Sequence, residues 1–83
     1  MKISVRYFAS IREAIGQGSE AVETAATTLG ALRDELIARG GANASSLARG
    51  RAVRMALNQT LSDESATLAD GAEVAFFPPV TGG

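Results

Sequence analysis

The residues best suited to chemistry are the last eight of the sequence, which read FFPPVTGG. Pro78 and Pro79 have no N–H group to donate to a sheet and favour extended polyproline geometry, so they predict a stiff spacer. Gly82 and Gly83 lack Cβ atoms, so they can thread a narrow channel and leave the terminal carbonyl open to attack. Residues 78–83, fully extended, reach about 20 Å. The pattern predicts a tail that presents a reactive C-terminal carboxylate to another protein.

The side chains that most enzymes use for catalysis are missing. Without Cys or His, the chain offers no thiolate nucleophile, no imidazole base and none of the usual zinc ligands. Two pairs of adjacent acids remain, Asp34–Glu35 on a predicted helix and Asp63–Glu64 in a predicted turn. Adjacent helical side chains do not face each other, and all four acids are expected to be solvated at the surface. We therefore expect a non-catalytic protein that holds no metal and no bound cofactor.

Length and charge narrow the classes of partner. Eighty-three residues with 46% hydrophobic content, much of it Ala, predict one domain with a modest core and no large substrate cavity. A net charge of −1 and a pI near 5.3 do not indicate nucleic acid as a partner. No apolar run is long enough for a signal peptide or a membrane span, so a cytoplasmic protein without a membrane partner is expected.

Hydrophobic periodicity predicts six main elements. In chain order they are a strand, a short helix, a strand, the main helix and two further strands: residues 2–9, 10–16, 20–26, 27–41, 51–58 and 72–77. Residues 42–50 are expected to be a loop or a single helical turn, and residues 58–65 a turn-rich connection with room for a minor strand near Thr60–Leu61.

The main helix has the clearest signals. Thr27 or Thr28 can cap its N-terminus, and Gly40–Gly41 stop it. Its apolar stripe consists of Leu29, Leu32, Leu36 and Ile37. Strand, strand, helix, strand and strand is the order of an α+β fold, the ubiquitin-like β-grasp, with one main helix packed across a mixed four- to five-stranded sheet. We predict a β-grasp domain over 1–77, with the terminal strands at the sheet centre, and an extended flexible tail over 78–83.

Strand alternation also predicts an unusual sheet face. If the buried face of each strand packs on the helix, then Phe8 and Phe77 point away from it, together with Ala75. Arg6 and Arg54 lie on the same side, and Leu61 can extend its edge. One exposed Phe is often covered by a loop, but two on one face, rimmed by arginines, indicate a protein-docking patch.

Three stretches resemble the small, sulfur-carrying subunit of molybdopterin synthase, a ubiquitin-like family of the MoaD/ThiS type. They are LADGAEVAFFPPVTGG (68–83), VRYFASIREAIG (5–16) and LNQTL (57–61), and the overall length agrees. The resemblance implies that Gly83 is adenylated, becomes a thiocarboxylate and gives its sulfur to cyclic pyranopterin monophosphate. It also implies that Gly82 is an unhindered neighbour, that Val80 and Thr81 line the partner's channel, and that the residues contacting partners are Phe8, Arg12, Leu61 and Phe77.

The resemblance further implies two protein partners. One is an ATP-dependent E1-like adenylyltransferase, which consumes the ATP. The other is the large synthase subunit, in a heterotetramer of two small and two large subunits. The resemblance thus implies no bound cofactor. ATP is used by the activating enzyme, and the thiocarboxylate is formed covalently on Gly83.

Several alternatives share parts of the pattern. A thiamine-pathway sulfur carrier has the same fold, Gly-Gly end and activation, but usually lacks the FFPPV stretch and is shorter. A ubiquitin-like modifier would instead join Gly83 to lysines. A plain interaction module with an inert tail is a third alternative, and a stand-alone enzyme is the least compatible with the missing catalytic side chains.

Overall fold

The computed structural model describes residues 1–79. It contains a five-stranded mixed sheet and three helices. The strands are β1 (Lys2–Tyr7), β2 (Ser19–Glu23), β3 (Arg54–Leu57), β4 (Thr60–Ser62) and β5 (Glu73–Phe77), and the helices are α1 (Ala9–Ile15), α2 (Leu29–Ile37) and α3 (Gly41–Leu47). The strand order β2-β1-β5-β3-β4 confirms the β-grasp prediction, with the first and last strands paired at the sheet centre.

The central strands supply the core through their alternation. β1 and β5 run parallel, with Val5 opposite Val74 and Tyr7 opposite Phe76, and all other neighbours are antiparallel. These four side chains are buried, and the rings of Tyr7 and Phe76 stack with centroids 6.2 Å apart. The inward positions of both strands are therefore those that the alternation predicted.

The main helix, α2, covers the buried face. Thr28 caps it, because its hydroxyl oxygen accepts a hydrogen bond from the Ala31 N–H at 3.2 Å. The predicted apolar stripe is confirmed: Leu29, Leu32 and Leu36 are fully buried, and Ile37 packs against the same cluster. The helix is shorter than residues 27–41, because it ends at Ile37.

Two predicted connections are more regular than expected. The prediction of a loop or a single turn over 42–50 was wrong, since Gly41–Leu47 form the seven-residue helix α3. Gly40, at a φ of 77°, lets the chain turn between α2 and α3, and the fully buried Leu47 anchors α3 to the core. The minor strand near Thr60–Leu61 is confirmed as β4, which follows β3 through a two-residue turn.

That turn explains why β3 and β4 pair. Leu57 lies opposite Thr60, and Asn58 and Gln59 between them have φ values of 49° and 70°. Two successive positive φ angles are typical of a type I′ hairpin turn, whose twist matches that of the strands. Asn58 also fixes the hairpin to β5, because its Oδ1 accepts from the Glu73 N–H at 3.0 Å. Within residues 1–79, no helix has the length and hydrophobicity needed to cross a membrane.

Candidate docking face and tail base

The side of the sheet turned away from α2 is called the open face. It is formed by Arg6, Phe8, Arg54, Ala56, Leu61, Ala75 and Phe77. The register lines up four of them across the sheet, since Ala75 lies opposite both Arg6 and Ala56, and Ala56 lies opposite Leu61. Phe77 lies opposite Arg54 in the next row. Four strands therefore bring the predicted residues of the patch onto one surface.

Phe8 is held at the edge of this face by the backbone. It follows β1 directly and occupies the N-cap position of α1, and its N–H donates to the Phe76 carbonyl at 3.1 Å. Ala9, at a φ of 50°, turns the chain from strand into helix, in a region that costs a non-glycine residue energy. Phe8 remains 39% exposed, and the Arg6 guanidinium lies 5.2 Å from the centroid of the Phe8 ring. This geometry is a cation–π contact at the surface.

The rest of the face is apolar at the centre and charged at the rim. Leu61 is 62% exposed, a large value for a leucine, whereas Phe77 is half-buried between its neighbours. A shallow depression of about 440 Å³ is lined by Arg6, Phe8, Ala56, Gln59, Glu73, Ala75 and Phe77. Sequence reasoning missed Gln59 and Glu73. Glu73 shares its strand parity with Ala75 and Phe77, which would have placed it on this face.

Arg12 occupies a different place from the other three predicted contacts. It is an exposed residue of α1, four positions after Phe8, and lies outside the strands that form the open face. Its side chain packs over Gly18, where an added Cβ would lie 3.2 Å from the Arg12 Nε. A side chain at position 18 would therefore force the guanidinium to move, and glycine there leaves Arg12 free to cover the turn before β2.

The base of the tail lies against the protein body. Pro78 and Pro79 are half-buried, and they line two different grooves. Pro78 borders a groove shared with α1 and α3, and Pro79 borders one shared with β3, β4 and the residues around them. Ala52 and Val53 line both, so the chain before β3 separates the two grooves. Four predicted tail residues, Val80, Thr81, Gly82 and Gly83, lie outside the described residues.

On the helical side of the molecule, charges are matched within the chain. Glu64 and Asp34 both pair with Arg49, and Glu64 also lies 3.4 Å from the guanidinium of Arg33. Glu35 accepts a hydrogen bond from the Thr24 hydroxyl. These acids lie at or near the surface, as expected, but their ion pairs and hydrogen bonds within the chain were not predicted. They join elements that are distant in sequence, which spacing alone does not reveal.

Burial decides how these charged groups behave. Arg33 is nearly fully buried, and its Nε and Nη2 donate to the Leu47 and Ala48 carbonyls at 2.7 Å and 3.0 Å. Desolvation lowers the pKa of Arg33, while the Glu64 carboxylate opposes that change. The pKa of Arg49 is raised, chiefly by its hydrogen bonds to Glu64 and then to Asp34. Both arginines remain cations, so each forms ion pairs that join its element to other parts of the fold.

Two other shifted groups are structural as well. Burial, followed by a hydrogen bond to Glu20 at 2.8 Å, raises the pKa of Tyr7, so its phenol stays neutral. Hydrogen bonds from the Ser65 side chain and backbone lower the pKa of Asp63, which remains an anion at the surface. None of these groups lies with a second reactive group in an arrangement for acid–base catalysis within residues 1–79.

Comparisons with known proteins find relatives that align with nearly the whole length of the chain. The molybdopterin synthase sulfur carrier subunit of Escherichia coli is 43% identical over 81 residues, covering 98% of this chain and 99% of that protein. A chain in the complex of subunits 1 and 2 of molybdopterin-converting factor from Helicobacter pylori is 28% identical, with a TM-score of 0.71 and complete coverage of both chains.

The fold itself is shared more widely. Small archaeal modifier protein 1 of Haloferax volcanii has a TM-score of 0.76 at 21% identity, covering 95% of this chain and 98% of that one, which shows a common fold alone. The sequence pattern of the ThiS family matches residues 5–83. The chain therefore belongs to the ThiS family.

Proposed function

We propose that this protein is the sulfur carrier subunit of a molybdopterin synthase, and that Gly83 carries the sulfur as a thiocarboxylate. The observation that carries the proposal is the position of the tail: Pro78 follows Phe77 directly, and Phe77 belongs to the open face. A partner that docks on this face therefore meets the start of the tail at its edge. The full-length similarity to subunits with that name supports the same role.

The proposed chemistry begins with a carboxylate that is too poor an electrophile to react alone. An E1-like adenylyltransferase binds ATP as its substrate, the Gly83 carboxylate attacks the α-phosphorus, and pyrophosphate leaves. A sulfur donor then displaces AMP from the acyl-adenylate, which produces the thiocarboxylate. With no Cys in the chain, the terminal carbonyl is the position available to hold this sulfur.

The second half of the proposal concerns delivery. The open face docks on the large synthase subunit, and the tail enters its active site, where the sulfur is transferred to cyclic pyranopterin monophosphate. Two such transfers complete the dithiolene of molybdopterin. The missing Cβ atoms of Gly82 and Gly83 allow close approach at the reacting carbonyl, and Val80 and Thr81 line the channel. A complex of two small and two large subunits would then carry two tails.

Two neighbouring functions use the same fold. The matched family is named ThiS, and this name favours a thiamine-pathway sulfur carrier as one alternative. The fold shared with a small archaeal modifier keeps a protein modifier as the other. Both use an activated C-terminal glycine, so the fate of the activated terminus separates them.

Intact-mass spectrometry distinguishes these fates. After incubation with the adenylyltransferase, ATP and a sulfur donor, we expect one oxygen-to-sulfur exchange at the C-terminus. Adding the large subunit and cyclic pyranopterin monophosphate should return the carboxylate and yield molybdopterin. Conjugates to lysines in place of the exchange would establish a modifier, and a thiocarboxylate that the large subunit cannot discharge would favour the thiamine pathway.

Deletion of Gly83 provides the matched control. The shortened protein should fold and bind the large subunit, because the open face and residues 1–79 are unchanged, but it should acquire no transferable sulfur. Transfer at the wild-type rate by the shortened protein would exclude Gly83 as the carrier residue.

A further inference from the structure

The groove beside Pro78 differs from the other two surface depressions in its charge. It has a volume of about 240 Å³ and lies between α1 and α3, with Ser10, Ser46, Arg51 and Val53 among its lining residues. No carboxylate lines it. The depression on the open face contains both Arg6 and Glu73, whereas the groove beside Pro79 contains both Arg54 and Asp63. The charge of Arg51 is thus not balanced within its own groove.

The contacts of Arg51 within residues 1–79 do not neutralise its charge. Its Nε donates to the Ser45 carbonyl at 3.1 Å, and its backbone N–H donates to the Ala48 carbonyl at 2.9 Å. Among residues 1–79, it makes no ion pair, although Arg49 two positions earlier pairs with both Asp34 and Glu64. The Nε contact orients the guanidinium and leaves its two terminal nitrogens for another acceptor.

The groove is also in the right place to meet a partner. Pro78 forms part of its wall, and Pro78 is the first residue after the open-face strand β5. A protein that encloses the tail must therefore bring its own surface to the mouth of the groove. A guanidinium facing a partner at an interface rim favours a carboxylate, and the buried Ser46 and the exposed Ser10 add hydroxyl groups nearby.

We propose that this groove receives an acidic side chain, Asp or Glu, of the large synthase subunit, and that Arg51 is its ion-pair partner. The inference rests on the proposed function, because it requires a large subunit that takes up the tail. In this arrangement the open face supplies apolar contact, whereas Arg51 supplies a charged contact on the other side of the tail base. Two separated contacts fix the direction in which the tail leaves the body.

The test measures binding of full-length variants to the purified large subunit by calorimetry at low and high salt. Arg51→Glu should weaken binding about tenfold or more at low salt, and Arg51→Gln about threefold, because an exposed pair is lost in both but repulsion is added only in the first. Arg51→Lys should recover most of the affinity. All these differences should shrink at high salt, since the pair lies at a screened rim.

Arg39→Glu is the matched control. It makes the same change of charge at an exposed residue that follows α2 and lines neither the groove nor the depression on the open face, so it should alter binding less than twofold. Thermal melting of each variant checks that the fold is intact, and the milder Arg51→Gln decides the question if Arg51→Glu unfolds.

Each outcome has one meaning. Equal binding by wild type and Arg51→Gln with equal salt dependence, or equal weakening by Arg39→Glu and Arg51→Glu, overturns the inference. If the wild-type protein acquires sulfur and binds the large subunit in those experiments, the proposed function stands without it. If the wild-type protein neither acquires sulfur nor binds, the proposed function fails, and the inference fails with it.

Discussion

Phe76 and Phe77 are neighbours in β5, yet the two faces of the sheet give them opposite surroundings. Phe76 is fully buried and stacks on Tyr7, whereas Phe77 is half-buried beside Ala75 and opposite Arg54 on the open face. The same side chain therefore stabilises the fold at one position and is available to a partner at the next. The proposed docking surface and the core thus lie on different faces, so mutations should separate binding from folding.

The arginines of the two faces differ in the same way. Arg33 and Arg49 on the helical side pair with acids of this chain. Arg6 and Arg54 on the open face make no ion pair with another described residue, and Arg6 lies against the Phe8 ring instead. Cations left beside exposed aromatic rings are typical of surfaces that bind other proteins.

The largest expected effect comes from the buried member of the aromatic pair. Phe76→Ala should destabilise the fold by about 3–5 kcal/mol, because it removes a fully buried ring and leaves a cavity against Tyr7. In a domain of this size, each kcal/mol corresponds to a fall in melting temperature of about 4–8 °C. Phe77→Ala is the matched control, with an expected loss of about 1 kcal/mol or less. Equal losses for the two variants, measured by urea denaturation, would show that both rings belong to the core.

A second, smaller effect compares the two arginines of the ion-pair network. Arg33→Met should cost about 2–4 kcal/mol, because it leaves the Leu47 and Ala48 carbonyls without a donor in a buried site. Arg49→Met should cost much less, since that guanidinium is exposed and its ion pairs are screened by water. Denaturation at low and high salt tests this difference, and a larger loss for Arg49 would contradict the assignment of Arg33 as the structural cation.

The smallest of the three free-energy changes is expected in docking. Phe77→Asp should weaken binding to the large subunit about tenfold or more, because it places a charge in the apolar centre of the patch. Stability should fall by only about 1 kcal/mol, the span of strand propensities. Ala38→Asp adds the same charge at an exposed position that directly follows α2, on the other side of the sheet, and serves as the control. Wild-type affinity for Phe77→Asp would exclude the open face as the docking surface.

Periodicity predicted much of the fold because the strands and α2 have strong alternation or a clear apolar stripe. It failed for α3, where Ala42, Ala44, Ser45 and Ser46 form no stripe and the helix depends on the burial of Leu47. The helical conformation of that segment is therefore set by tertiary packing and not by its local sequence.

For the candidate site, strand alternation placed Phe8 and Phe77 away from the core. It could not predict that Arg49 forms ion pairs within residues 1–79 and Arg51 does not. Their difference depends on Asp34 and Glu64, which lie 15 residues from Arg49 in either direction. A contact over that separation is set by the fold as a whole. Sequence reasoning on single elements therefore left both arginines as surface charge.

The position of β5 has a consequence for the biosynthesis of the protein. This strand lies between β1 and β3, so the sheet stays in two halves until the ribosome has translated Phe77. Its parallel pairing with β1 joins distant parts of the chain, which slows folding and defers it to the end of synthesis. A chain truncated before β5 lacks both the central strand and the Phe77 ring. We therefore expect premature termination before β5 to yield chains that neither fold nor carry the complete open face.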